Sequence, residues 1–212
     1  MEERIKYPRT PHLPWSLGAT GDDRWALEEC LANLRRGEVV VTEKMDGENT
    51  TFYRDGLHAR SLESTRHPTR AFVQGLQAKV GYSIPEGFRI CGENVYARHS
   101  ISYRGLPGYF LVFSAWDRDT CLSWHETEEW AELLDLPVVP VLYRGPWNET
   151  AIRALYHEPR EKEREGYVVR AAGSFELWEF GLSMAKFVRS GHVETDEHWL
   201  RQAIVPNALK AT

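Results

Sequence analysis

At 212 residues, with 42% hydrophobic and 27% charged residues, the chain has the composition of one well-buried globular domain and is short for two. No apolar run is long enough to span a bilayer and no signal-peptide core opens the chain. Cys30, Cys91 and Cys121 are odd in number and widely spaced, which excludes a disulfide framework and a Cys-x-x-Cys zinc site and makes a reducing cytoplasm the expected compartment. The formal charge of −5 argues against coating nucleic acid through net charge, although arginine outnumbers lysine twenty to six and a locally basic face fits that usage.

Taken in chain order, residues 7–15 hold Pro8, Pro11 and Pro14 and are expected to be extended and irregular. Asp22 or Asp23 is placed to cap a helix running to about Arg36, with Trp25, Leu27, Cys30, Leu31 and Leu34 on its apolar side and Gly37 stopping it. Residues 39–43, 50–54 and 57–60 read as a meander with Asp55-Gly56 as a tight turn. A helix over 68–80 follows, then strands over 88–92 and 109–116, a helix over 124–134 capped by Ser123, and a strand over 136–142. Asn148 caps a short helix through Tyr156, strands are expected over 167–170, 174–180 and 184–189, and a last helix lies near 196–203. Strands in two groups with flanking helices predict an α+β fold.

Lys44 ends an apolar β-branched run and enters an Asp-Gly turn in Val39-Val40-Val41-Thr42-Glu43-Lys44-Met45-Asp46-Gly47-Glu48-Asn49. This is either a hairpin with a surface lysine or a lysine nucleophile on a rigid strand end. The second reading needs a pKa lowered from about 10.4, through desolvation and neighbouring cations or a metal, to free the amine. Lys-x-Asp-Gly-x-Asn resembles the first motif of the covalent nucleotidyltransferases, the superfamily of ATP-dependent RNA ligases, DNA ligases and mRNA capping enzymes. Four segments follow in that family's order: Cys91-Gly92-Glu93-Asn94, Tyr109-Phe110-Leu111-Val112-Phe113, Glu165-Gly166-Tyr167-Val168-Val169-Arg170 and Ala185-Lys186-Phe187-Val188-Arg189. Each alone is weak; five in order are specific, and they span about residues 38–190 of a chain read as a single domain over 1–212.

The resemblance implies a nucleotidyltransferase domain of two antiparallel β-sheets with the nucleotide between them. It implies that Lys44 attacks the α-phosphorus of ATP and carries AMP. Asp46, Glu93 and Glu165 are the implied carboxylates around Mg²⁺ or Mn²⁺, held through water, with Glu93 also at the ribose. Lys186 would contact the α-phosphate and Arg60 the ribose or phosphate, while Phe113 is the implied adenine stacker, with Trp116 competing. Glu43 would read the adenine edge through its carboxylate or through a backbone carbonyl, favouring ATP over GTP. Asn49 stands where DNA ligases have arginine and points toward RNA ligases. The departure from the pattern is Val188, where a second cation is usual; either Arg189 reaches the site through an irregularity or another residue supplies the charge.

About twenty residues follow the last motif, too few for an OB-fold. His192, Asp196 and His198 suggest a metal site, but their neighbours fit a capped terminal helix better. The expected activity is ATP-dependent sealing of RNA 3′-hydroxyl and 5′-phosphate ends in RNA repair, with RNA as partner and a kinase or phosphatase to heal the ends. The alternatives are a DNA or mixed-strand ligase and a nucleotide- or end-binding module without turnover.

Overall fold

In the computed structural model, which describes residues 3–62, 67–156, 164–191 and 204–211, two antiparallel sheets face each other with helices on their outer surfaces. The elements in chain order are α1 (Glu28–Arg36), β1 (Glu38–Lys44), β2 (Glu48–Tyr53), β3 (Gly56–Ala59), α2 (Ala71–Val80), β4 (Phe88–Asn94), β5 (Arg104–Leu106), β6 (Phe110–Asp117) and β7 (Thr120–Cys121). There follow α3 (Trp124–Leu133), β8 (Val141–Pro146), α4 (Glu149–Ala154), β9 (Gly166–Ala171), β10 (Phe175–Glu176), α5 (Phe180–Ser183), β11 (Met184–Val188) and β12 (Ala208–Leu209). One sheet runs β11-β9-β1-β8 and the other β10-β7-β6-β4-β2-β3, while β12 and β5 pair in parallel. The expected α+β class with two antiparallel sheets is what the chain forms.

Alternation along β1 sorts its side chains between two environments. Val39 and Val41 are fully buried against Cys30, Leu31 and Leu34 of α1, together with Tyr167, Val169, Ala185 and Phe187 of the neighbouring strands. Each such buried valine stabilises the fold by roughly 1.5–3 kcal/mol. Val40 faces the other way, into a core shared with Leu111 and Trp124, so the same face of β1 that meets the second sheet also presents Lys44.

The second sheet owes its inner face to a bulge. Cys91 pairs with Ser114 and Gly92 with Val112, so Phe113 is the extra residue of β6 and the facing parity changes across it. Phe110, Val112 and Ala115 pack outward with Phe52 and Ile90, while Phe113 and Trp116 both turn toward the first sheet.

Several sequence expectations change. Helix α1 starts at Glu28, because Asp23 Oδ2 accepts from the Thr20 N–H and hydroxyl at 3.0 Å each and His12 exchanges backbone hydrogen bonds with Arg24 and Ala26, which holds the intervening chain extended. β1 is not part of a meander: it pairs with β8 and β9, and only β2 and β3 form the hairpin. Residues 136–140 run beside β6, through Val112 N–H to the Pro137 carbonyl and Val139 N–H to the Val112 carbonyl, before the chain joins the other sheet as β8. The strand expected over 174–180 shrinks to β10, followed by a helical turn whose Glu176 and Glu179 form a reciprocal capping box. The terminal helix near 196–203, with His192, Asp196 and His198, lies outside the described residues.

His58 is buried between the Ala59 carbonyl, 2.6 Å from Nδ1, and the Tyr53 hydroxyl, 3.2 Å from Nε2. That pairing assigns the proton to Nδ1. Burial, opposed in part by the Ala59 carbonyl and reinforced by Arg4 and Arg89, lowers the His58 pKa; burial and the Lys186 charge, opposed by Asp23, lower that of His12 as well. The unfolded chain therefore takes up protons near pH 6.5 that the folded chain refuses. The two histidines' contribution to stability is expected to fall as pH drops through about 6.5 and to level off below the folded-state values, while the raised carboxyl of Glu93 acts in the opposite direction. Thermal midpoints measured from pH 7.5 to 5 should therefore rise for His58→Gln relative to the wild type as the pH falls.

Candidate active site

Lys44 ends β1 in one sheet and Glu48 opens β2 in the other, so Met45-Asp46-Gly47 is a crossing between sheets. Met45 is buried in the core between them. Asp46 Oδ2 accepts the Ile101 N–H at 2.8 Å, and the Asp46 N–H donates to the Tyr103 hydroxyl at 2.8 Å. Close approach explains Gly47: a Cβ there would lie 2.5 Å from the Asn94 carbonyl oxygen and 3.0 Å from Glu93 Cγ. The turn is thereby seated against β4, the strand that carries Glu93.

Lys44 Nζ stands 2.7 Å from both carboxylate oxygens of Glu165, which precedes β9 where Gly166 pairs with Lys44. Lys44 keeps a quarter of its side chain exposed and Glu165 almost none. Burial disfavours the ammonium, but Glu165, Glu93 and Asp46 outweigh it and hold the Lys44 pKa above the ordinary lysine value. The lowering expected of a nucleophile is therefore not supplied by the protein's own groups. The protein's own charges near Nζ are mainly carboxylates, so the amine rests protonated. Glu93 shows the other side of the same balance: burial, with Glu165, Asp46 and Glu48 adding repulsion against the attraction of Lys44, pushes its carboxyl up to about 8.

A cavity of about 780 Å³ opens between the sheets. That is ample for a nucleotide-sized ligand. Lys44, Glu43, Asn49, Arg60, Glu93, Phe113 and Lys186 all line it. Asn49 pairs across the ladder with Glu93, and its carbonyl accepts the Arg60 N–H at 2.9 Å, which brings three sequence-distant candidates to one wall. Lys186 lies on β11 opposite Val168, whose other neighbour is Thr42, so it projects from the same sheet face as Lys44. Burial and the nearby Lys44 charge lower the Lys186 pKa, against the pull of Asp23, 3.8 Å away.

Three candidates sit differently from expectation. Glu43 has its carboxylate on the opposite strand face from Lys44, 3.4 Å from Arg164 Nε, so among the routes to an adenine edge its backbone is the better placed. Trp116 is fully buried, edge-on to Tyr7 and with the Arg89 guanidinium over its ring, which removes it as a stacker; Phe113 is the ring on the cavity wall. Arg189 does not reach the cavity lining; its Nη1 donates to the Ser190 and Gly191 carbonyls at 3.2 and 3.3 Å.

Sequence reasoning missed the opening segment as a wall of the site. Tyr7 to Thr10, Thr20 and Asp22 to Arg24 line the cavity because Lys186 exchanges backbone hydrogen bonds with Pro11 and Leu13, laying this segment beside β11. It also missed the pair of Glu48 with Arg70, which holds the wall beside Asn49 through Arg70 Nε at 2.7 Å and a second guanidinium contact. No local pattern marks such a pair, since Arg70 ends the helical turn Pro68–Arg70 and meets Glu48 of β2 only once the chain has folded. Among the described residues no three His, Cys, Asp or Glu side chains converge as direct metal ligands. The oxygen-only set of Asp46, Glu93 and Glu165 still fits a hard divalent cation held through water.

The model of the RNA ligase family matches residues 37–188. The chain belongs to the RNA ligase family. Among solved structures, a Naegleria gruberi RNA ligase variant in its apo form is 20% identical with a TM-score of 0.54, covering 92% of this chain and 60% of that one. A Naegleria variant with ATP and Mn is 21% identical with a TM-score of 0.54, covering 94% and 65%. A putative ATP-dependent DNA ligase from Aquifex aeolicus is 24% identical with a TM-score of 0.50, covering 81% and 50%. These likenesses establish the fold, and this RNA ligase family member spans less than two thirds of the chains it matches. No curated protein matches it.

Proposed function

We propose that this chain is an ATP-dependent RNA ligase that joins RNA 3′-hydroxyl and 5′-phosphate ends through AMP carried on Lys44. The observation that carries the reading is the meeting of Lys44, Glu93 and Lys186 at one cavity from strands of two sheets, with Glu165 bonded to the Lys44 amine. Lys44 Nζ first gives up its extra proton, and Glu165, bonded to that nitrogen, is placed to hold it. The freed lone pair attacks the α-phosphorus of ATP; the N–P bond forms as the P–O bond to pyrophosphate breaks, and pyrophosphate takes the electron pair. The AMP then passes to the RNA 5′-phosphate, and the 3′-hydroxyl displaces it to seal the strand. In each displacement positioning and charge neutralisation supply most of the rate enhancement. Lys186 would meet the α-phosphate, Arg60 the ribose or phosphate, and Phe113 the adenine ring.

Mg²⁺ or Mn²⁺ near Asp46, Glu93 and Glu165 would neutralise phosphate charge and relieve the carboxylates' hold on the Lys44 proton. The Naegleria structures with ATP and Mn support that cofactor pair. A role in RNA repair, with a kinase or phosphatase preparing the ends, fits a sealing enzyme. No helix among the described residues is long and apolar enough to cross a membrane.

Incubation with α-labelled ATP and Mg²⁺ should leave acid-stable label on the polypeptide, and α-labelled GTP should not. Nicked duplexes with RNA on both sides of the break should then be sealed. Equal sealing of all-deoxyribose nicks moves the reading to a DNA or mixed-strand ligase; absence of label on folded, AMP-free protein leaves a binding module.

A further inference from the structure

The cavity is electrically polar. At the Lys44 end stand the carboxylates of Glu165, Glu93 and Asp46; beyond Lys186 come Arg60 and Arg9, both exposed and both on the lining. Among the described residues no carboxylate forms an ion pair with either arginine. The two charges nevertheless crowd each other, since burial and the Arg9 charge both disfavour the Arg60 guanidinium, with Asp23 opposing. Asp22 and Asp23 share this lining, but Asp23 is paired with His12 and Lys186, and like charges gathered on a concave wall with no carboxylate ion-paired to them make an anion site.

The position of Arg9 is set by its neighbours. Two residues before it, Tyr7 is buried with its ring 5.2 Å from Phe113 and 5.4 Å from Phe180. Two residues after it, the Pro11 carbonyl accepts the Lys186 N–H at 2.8 Å. With Pro8 and Pro11 restricting the backbone, Arg9 is strung between two anchors. The same segment covers the place where a second cation on β11 is expected: Leu17 and Gly18 both donate to the Val188 carbonyl, at 3.1 and 2.8 Å, and the Val188 N–H donates to Ser16 Oγ at 2.9 Å. Val188 is buried beneath it.

We propose that Arg9, beside Arg60, binds the β- and γ-phosphates of ATP and the pyrophosphate they become, so that the opening segment supplies the cation that β11 lacks at Val188. This rests on the ligase reading. It orients the triphosphate, with the α-phosphorus between Lys44 and Lys186 and the leaving group at the arginines, away from the Glu165, Glu93 and Asp46 carboxylates. When the P–O bond breaks, the charge that develops on pyrophosphate is then met by guanidinium groups already in place.

Calorimetric titration of the full chain with inorganic pyrophosphate, and separately with AMP, tests this. Arg9→Ala is expected to weaken pyrophosphate binding about tenfold and leave AMP binding within twofold, with Arg9→Lys recovering part of the loss. An unchanged thermal midpoint will show that the exposed side chain was removed without unfolding. Pyrophosphate affinity in Arg9→Ala within twofold of wild type overturns the proposal, even where Lys44 is labelled by ATP. Arg9-dependent pyrophosphate binding in a protein that takes no label supports the anion site and sinks only the ligase reading.

Discussion

Lys44→Ala is expected to take no label from α-labelled ATP, a complete loss, and Lys44→Arg is expected to do the same. The arginine variant is the sharper one. It keeps a cation facing Glu165, so the fold and the ion pair survive, yet a guanidinium stays protonated at any accessible pH and cannot attack phosphorus. The alanine variant also removes the Lys44 ion pair from the buried Glu165 carboxylate, which costs stability because weakening the pairing of a buried charge is expensive. Mass spectrometry of the intact protein after ATP treatment, alongside a thermal melt, separates lost chemistry from lost structure. Retained label in folded Lys44→Arg would place the covalent site on another residue.

Gly166→Ala is expected to destabilise the protein by roughly 3 kcal/mol, the upper part of the range for an overpacked core. In a domain of this size that lowers the melting midpoint by about 6–12 °C. The added Cβ would fall 2.0 Å from the Phe187 carbonyl oxygen and 3.1 Å from Val188 Cα, and a strand backbone has no rotamer with which to yield. Because Gly166 lies between Lys44 and Val188 in the ladder and directly follows Glu165, the forced separation of β9 from β11 also displaces the Lys44 partner. Labelling by ATP should therefore fall even at temperatures where the variant remains folded. A midpoint within 2 °C of wild type would contradict the packing described around Gly166.

The elements that can be read locally were read well. Ser123 and Glu126 form the reciprocal cap of α3 and Asn148 caps α4 through the Ala151 N–H, because each depends on residues within a few positions of one another, while the tight turn from β2 to β3 falls one position earlier than expected, at Arg54-Asp55, with Gly56 already paired to Tyr53. Elements shaped by distant partners were not. Residues 22–27 have a helical pattern, yet His12 claims the backbone of Arg24 and Ala26, and two hydrogen bonds to a neighbouring chain outweigh a weak propensity. The bulge at Phe113 is likewise invisible in Tyr109-Phe110-Leu111-Val112-Phe113, since it is a mismatch of register with β4 and exists only in the pairing.

The same division holds for the site. Residue order along the chain was enough to nominate Lys44, Asp46, Glu93, Phe113, Glu165 and Lys186, because covalent chemistry at phosphorus requires particular side chains and the family resemblance orders them. Charge state was beyond its reach: whether the Lys44 amine is raised or lowered depends on the sum of burial and neighbouring charges, and those neighbours come from β4, β9 and the crossing turn. The answer to Val188 was equally hidden. Arg9 is 179 positions upstream in the chain, and it is brought to the cavity by Tyr7 packing and by the hydrogen bonds of Pro11 and Leu13 with Lys186. Side-chain identity is a local property of the sequence, whereas electrostatic environment is a sum over space that exists once the chain has folded.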